Sequence, residues 1–324
     1  MSSKMRAILV KDGKGPIENL FIGEAERPSP GPGMVLVKVK AFGLNGMDLL
    51  QREGRYPMPP SSPTIMGVEF SGTVVQPRAS RGAYGEYVEV RHRNLIRKPA
   101  HLSWVDAAGI MENYITAFQG LVFLTGIKAG DDVLIHAGAS GVGVAAIQLA
   151  RFYGANTVIA TASSKEKLDM LLAMPNGATH AVNYRTQDFA EEVKTITSGK
   201  GVDIVIDMVG QSHWQKNIAS LAFDGQMALL AFLSGSVVKE VDLAPVIFKR
   251  LRIQGSTLRA RSADYHAELI GRFKAEAFDS ITGSSGDGRI RTYIHKVYPW
   301  TQIQEAHREM EASKNSGKIV LEFD

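Results

Sequence analysis

The sequence predicts an α/β protein: a doubly wound parallel sheet of Rossmann type, combined with a β-rich second part. Three observations carry this. From residue 132 to 257, short β-branched runs alternate with helical stretches, the pattern of right-handed βαβ units. The first run, Val133-Leu134-Ile135, passes through a glycine-bearing turn into an amphipathic pattern opened by Val144, Ile147, Gln148 and Arg151. On either side lie strand-like pieces divided by Pro and Gly, such as PSPGPG at 28–33.

The turn, HAGASGVG at 136–143, is where the chemistry concentrates. A helix start has unpaired N–H groups and the positive end of a dipole, and glycine lets the backbone approach a pyrophosphate closely. Ala137 stands at the first position of the usual G-x-G-x-x-G, so the motif reads A-x-x-x-G-x-G, with Gly138 one place later. The candidate contacts are Gly138, Ser140, Gly141 and Val142. Taken alone, the loop also fits a structural turn in an ordinary α/β protein.

In chain order, 5–10, 35–41, 72–75 and 86–90 read as strands, with a short helix at 47–52 and a helical region at 103–126. Strands follow at 133–135, 157–161, 180–183, 204–206, 227–231 and 252–257. Helices at 142–153, 165–173, 187–197 and 212–222 separate them. Beyond these come a helix around 266–273, a strand at 292–297, a helix at 303–312 and a strand at 318–323. Residues 279–288 read as a flexible loop by composition.

The 324 residues suffice for two domains, and 44% hydrophobic with 22% charged residues argues against disorder. No apolar run is long enough to span a bilayer, and MSSKMRAILVKDG lacks a signal-peptide core. The expectation is a soluble, cytoplasmic protein. The net charge of +4 comes without a basic run. Arg91-His92-Arg93 and Lys249-Arg250 read as solvated faces rather than nucleic-acid patches, and the excess suits a cleft for an anionic cofactor. The chain has no cysteine, which excludes disulfides, thiol nucleophiles and every cysteine-bearing zinc site.

Six stretches in order now carry a resemblance: LNGMDLLQREGRYP, GVEFSG, GAYGEYV, ENYITAFQGL, HAGASGVGVAAIQLA and SGKIVL. They resemble the medium-chain dehydrogenase/reductase superfamily, most closely its zinc-free quinone oxidoreductases of the p53-inducible and zeta-crystallin types. The resemblance covers nearly the whole chain. It implies a β-rich catalytic domain of GroES-like fold, residues 1–115 and 258–324, around a Rossmann domain, residues 116–257. It also implies a homodimer that binds NADPH.

The zinc-containing branch carries a catalytic Cys where this chain has Asn45 and a His where it has Val68, and it has a four-cysteine lobe; no metal site is therefore expected. Glu69 reads as a structural carboxylate. NAD enzymes place an acid at the tip of the second strand, but here the tip runs Thr161-Ala162-Ser163-Ser164-Lys165-Glu166-Lys167. Its hydroxyls and lysines suit a 2′-phosphate, favouring NADPH over NADH. Many relatives have Lys at Glu166, so Lys165 or Lys167 is left for that contact. Ser163 and Glu166 also fit a capping box.

By the same resemblance, Tyr184 lies against the phosphate or adenine. Thr116 and the backbone from Phe232 to Ser234 hold the nicotinamide, and Asn45 lies beside its ribose or the substrate. Lys314 and Asn315 match phosphate contacts, or an exposed helix end. Tyr56 matches a cleft tyrosine whose phenol can hydrogen-bond a quinone oxygen, or it is a packed loop aromatic. A second tyrosine of some relatives aligns with Leu50. Between residues 75 and 81 the family has a longer stretch with a G-D-x-V strand; here only QPRAS remains.

The sequence thus points to NADPH-dependent, zinc-free reduction of quinones or related α,β-unsaturated carbonyls. The alternatives are an enoyl-thioester reductase and, in another class, an NADPH-binding regulatory or RNA-associated protein with vestigial activity.

Overall fold

A computed structural model describes residues 4–29, 31–59, 63–76 and 82–324. The shortened stretch after residue 76 lies outside the described residues. The chain divides into two compact units. One comprises Met1–Glu112, Arg259–Gly286 and Thr292–Asp324; the other comprises Asn113–Leu258 and Asp287–Arg291.

The first unit opens with β1 (Lys4–Val10) and β2 (Leu20–Glu26), paired antiparallel from Lys4 opposite Glu26 to Val10 opposite Leu20. No strand was expected at β2. Its sequence, LFIGEAE, lacks clean alternation, and Phe21 and Ile22 are exposed, so ladder bonds to β1 hold it rather than a buried face. The spine of the unit is β3 (Met34–Leu44), which pairs antiparallel with β4 (Phe70–Gln76) and β5 (Tyr87–Arg91). Two register irregularities, at Leu36/Val37 and Val39/Ala41, let one long strand serve both partners. Directly after β3, Asn45 is the N-cap of α1 (Gly46–Arg52). Further on, α2 (Trp104–Ala108) is capped by Ser103, whose Oγ accepts from the Asp106 amide at 2.9 Å.

The helix α3 (Met111–Phe118) leads into the second unit, a six-stranded parallel sheet. Its strands are β6 (Asp132–Ile135), β7 (Thr157–Ala162), β8 (His180–Asn183), β9 (Val202–Asp207), β10 (Leu221–Leu229) and β11 (Arg252–Gly255). The helices between are α4 (Gly141–Phe152), α5 (Lys165–Ala173), α6 (Phe189–Ile196), α7 (Trp214–Ser220) and α8 (Ala244–Phe248). The order β11-β10-β9-β6-β7-β8 is the doubly wound Rossmann arrangement, which reverses direction between β6 and β9. Leu134, Ile159, Val205 and Met227 share one core with Phe189, Val193 and Ile218 of the covering helices. β10 starts at Leu221, six residues before its expected start, because a bulge between Leu221 and Gln226 with Asp224 at φ 62° hides the earlier pairing. Ala231 lies beyond its end.

The chain returns through α9 (Ala263–Glu276) and the two-residue strands β12 (Ile281–Thr282) and β13 (Ile290–Arg291). It closes with β14 (Ile294–Pro299), α10 (Ile303–Glu311) and β15 (Lys318–Glu322). β15 adds antiparallel to β3, so the last strand completes the sheet begun by the first part of the chain. Beneath it, Phe42 and Tyr84 rings lie 4.7 Å apart and Trp300 stacks on Phe323 at 4.6 Å. The 279–288 segment is more constrained than its composition suggests. Ile281 is buried, and the Ser284 amide donates to Asp106 Oδ1 at 2.8 Å.

Candidate active site

In the second unit, β6 delivers the chain into the turn at the carboxyl end of the sheet, the edge where open α/β folds bind ligands. The Gly138 amide donates to the Thr161 carbonyl at 2.8 Å, tying the turn to β7. Ser140 caps α4, its Oγ accepting from the Gly143 amide at 3.0 Å. A Cβ on Gly143 would meet the Ala137 carbonyl oxygen at 2.3 Å, so glycine is obligatory there. Ala137, in place of the usual glycine, adopts φ 48°. The amides of Gly141 and Val142 have no acceptor among the described residues. Two free N–H groups at the start of a 12-residue helix fit a pyrophosphate.

Beneath this turn lies a buried network that sequence reasoning missed. His136 Nδ1 contacts Thr161 Oγ1 at 3.0 Å and its Nε2 contacts Asn217 Oδ1 at 2.7 Å; Asn217 Nδ2 donates to Asp207 Oδ2 at 3.0 Å. Burial pushes His136 down to about 3, so a neutral ring sits here, and it pushes Asp207 up to about 6. The network links the ends of β6, β7 and β9 to α7. The available signal was polar residues, His136 and Asp207, at the carboxyl ends of two largely apolar strands.

At the tip of β7 the expected capping box shifts by one residue. Ser164, not Ser163, caps α5, its Oγ accepting from the Lys167 amide. No hydrogen bond of the Ser163 hydroxyl is found among the described residues. Lys165 is engaged by Asp169 at 2.6 Å. Lys167 is lowered by burial and by the neighbouring charge of Arg185, a cation overlooked in the sequence although it directly follows Tyr184. Tyr184 is half-exposed and its ring lies 5.6 Å from that of His213. Thr116 is partly exposed on α3. Phe232 is exposed, and Ser234 Oγ is held by the Val209 carbonyl and the Ser212 amide.

In the first unit, Asn45 is the centre of a second buried network. The Lys318 ammonium, at the start of β15, donates to Asn45 Oδ1 at 2.6 Å and forms an ion pair with Glu69. Asn45 Nδ2 donates to Glu69 Oε1 at 2.9 Å and to the Gly43 carbonyl at 3.5 Å, so neither N–H of the carboxamide remains to donate. The other Glu69 oxygen accepts from the Glu112 amide, and Asp48 accepts from the Asn45 amide, each at 2.9 Å. Both Glu69 oxygens are thus engaged within this unit. Burial pushes Asp48 up to about 6. The Glu112 carboxyl is pushed up to about 7, by burial first and then by Glu69 and Asp48, against the opposing charges of Lys318 and Arg259.

The sign of the Glu112 effect is testable. An acid raised from 4.5 to about 7 contributes stability below 4.5 that is lost as pH rises through about 7. Glu112→Gln carries no such loss. Its Tm relative to the parent should rise between pH 5 and pH 8, read by thermal melts at matched ionic strength. A constant difference would contradict the assignment.

Tyr56 follows α1 and is half-buried; its hydroxyl has no hydrogen-bond partner among the described residues, and burial raises it. The Arg259 guanidinium lies 5.8 Å from its ring centre. Asn315 Nδ2 donates to the Gly317 carbonyl at 2.9 Å, within the turn that precedes β15. Among the described residues, no group of three or more His, Asp or Glu could hold a metal ion.

Comparison with known proteins gives the family. Residues 31–81 match the alcohol dehydrogenase GroES-like domain and residues 141–275 the zinc-binding dehydrogenase domain. A 2-haloacrylate reductase from Burkholderia sp. is 33% identical, with 98% of each chain covered. The synaptic vesicle membrane protein VAT-1 homolog of Rattus norvegicus is 32% identical over 91% of this chain and 78% of its own. The crystal structure of a quinone oxidoreductase from Pseudomonas syringae superimposes with a TM-score of 0.84 at 29% identity, covering 98% of this chain and 99% of the other. The chain belongs to the quinone oxidoreductase family of medium-chain dehydrogenase/reductases, and it is an oxidoreductase of a pyridine nucleotide-binding fold.

Proposed function

We propose that this protein catalyses NADPH-dependent, zinc-independent reduction of quinones or related α,β-unsaturated carbonyls. The observation that carries the reading is the half-buried Tyr56 hydroxyl with no partner among the described residues, in a chain that also bears a pyrophosphate-fitting loop. When bound, the reduced nicotinamide supplies the hydride and leaves as NADP⁺. Tyr56 donates a hydrogen bond to the substrate oxygen as negative charge builds on it, and a proton from the phenol or from water completes the reduction. Asn45, left with only an acceptor, takes a hydroxyl of the ribose or substrate.

Gly138, Ser140, Gly141 and Val142 hold the pyrophosphate. Ser163, Ser164 and Lys167, joined by Arg185, take the 2′-phosphate, with Tyr184 against the adenine end. Thr116, Phe232 and Ser234 hold the nicotinamide. Lys314 and Asn315 add phosphate contacts. The absence of an acid at the tip of β7 supports NADPH over NADH. Asn45 and Val68, in place of zinc-binding Cys and His, support a reaction without zinc.

The protein acts as a homodimer in the cytoplasm. Support for the dimer is the unpaired edge of β11 beside exposed Phe223, Ile247 and Phe248. No helix among the described residues is long and apolar enough to cross a membrane.

Tyr56→Phe should lower kcat and kcat/KM together by roughly tenfold, less than the ~10²-fold typical of a dry oxyanion site, with NADPH affinity retained. A Phe variant as active as the parent would remove the phenol from the mechanism. Turnover of quinone against crotonyl-thioester, each with NADPH, separates this reading from the enoyl-thioester reductase. NADPH binding without turnover of either would favour the regulatory class.

A further inference from the structure

We infer that Arg259 makes the site selective for acceptors that carry a carboxylate beside the reducible group, an inference that rests on the reductase reading above. Arg259 is partly buried in the first unit, and its one observed hydrogen bond goes from Nη1 to the neutral Gln51 Oε1 at 2.8 Å. No carboxylate among the described residues lies within ion-pair distance of it. Arg52 in the same unit shows a well-engaged guanidinium: it is bound to Glu311 at 2.6 Å, Glu53 at 2.9 Å, the Gly15 carbonyl at 3.1 Å and the His307 ring at 3.2 Å.

A guanidinium has five donors in a planar fork that matches a carboxylate, and removing such a group partly from water without an anion is costly. Among the described residues, four of the Arg259 donors have no hydrogen-bond partner, while Gln51 fixes its direction. The same guanidinium stands 5.8 Å from the centre of the Tyr56 ring, so an acceptor whose oxygen meets the phenol can bring a short carboxylate substituent to the fork. Glu112 and Asp48 also act on this region, with Glu69 behind them, and would repel an anion. Lys318 offsets one of these charges by pairing with Glu69, and the raised Glu112 carboxyl is neutral in a large fraction of molecules near pH 7.

The test uses two acceptors that share one reactive enone and differ in charge: 4-oxopent-2-enoate and its methyl ester, each reduced with NADPH. The parent should show kcat/KM higher for the acid by about tenfold or more, and Arg259→Gln should bring the ratio of acid to ester close to one. Arg259→Lys should retain part of the preference, as a point charge without the fork. Calorimetric binding of the saturated acid, 4-oxopentanoate, to the NADP⁺-loaded protein should weaken by about tenfold in Arg259→Gln, with NADP⁺ affinity unchanged. Equal rates for acid and ester in the parent, or a preference that survives in Arg259→Gln, or a loss that is the same for both acceptors, would overturn the inference and leave the reductase reading standing. A parent that turns over neither acceptor, nor a simple quinone, would remove both.

Discussion

Gly141→Asp is expected to weaken NADPH binding by about a hundredfold or more while the protein stays folded, equivalent to ~2.7 kcal/mol of lost binding free energy. The site is the first residue of α4, where the Gly141 and Val142 amides have no acceptor among the described residues. A carboxylate there satisfies those donors itself and stabilises the helix start, so folding is spared. It also occupies the phosphate position with negative charge. A Cβ at Gly141 would meet the buried Asn113 side chain at 2.6 Å, so some repacking accompanies any substitution. Gly141→Ala is therefore the control: it introduces the same Cβ without the charge. Titration of intrinsic fluorescence with NADPH reads both. If alanine and aspartate weaken binding equally, the packing of Asn113 is responsible and the phosphate assignment fails. Unchanged affinity in both would make the loop merely structural.

The second large effect concerns stability. Lys318→Met should cost about 3–5 kcal/mol, because it leaves Glu69 buried and charged beside Asn45 with its counter-ion gone. Denaturant unfolding measures this directly. The double variant Lys318→Met with Glu69→Gln should recover part of the loss: the buried charge is gone, although the single amide oxygen replaces only one of the two carboxylate oxygens that accept from Asn45 and from the Glu112 backbone. If the double variant is as damaged as the single, the cost comes from packing of the lysine stem rather than from the buried charge.

The parts of this molecule that were legible in its sequence are those governed by near neighbours. The Rossmann strands β6 to β9 and the helices α4 to α7 follow from apolar period and length, and they lie within a few residues of their expected bounds. The Gly-rich turn announced itself for the same reason. β2 and the start of β10 escaped because neither hides a continuous apolar face: Phe21, Ile22 and Phe223 are all exposed, and ladder pairing alone defines those segments. The cap at Ser164 escaped because two adjacent serines compete for one position, and backbone geometry decides between them.

The networks around the candidate sites were hidden more deeply. Lys318 reaches Asn45 across 273 positions of sequence, and His136 reaches Asn217 across 81. No local pattern encodes such partners. They become visible only when β15 adds to β3, or when α7 packs below the switch point of the sheet. Tyr56 and Asn45 could be named from the sequence because they sit in a recognisable stretch. That Asn45 has already spent both of its N–H donors could not, and it is this that limits Asn45 to accepting a hydrogen bond.

The measurement that bears most directly on the central claim is steady-state oxidation of NADPH by the chelator-treated protein, with a simple quinone as acceptor and NADH run in parallel. The expected result is turnover at a rate unchanged by chelation, with a higher kcat/KM for NADPH than for NADH. Loss of activity on chelation restored by zinc, equal use of the two cofactors, or no turnover despite tight NADPH binding would each contradict it.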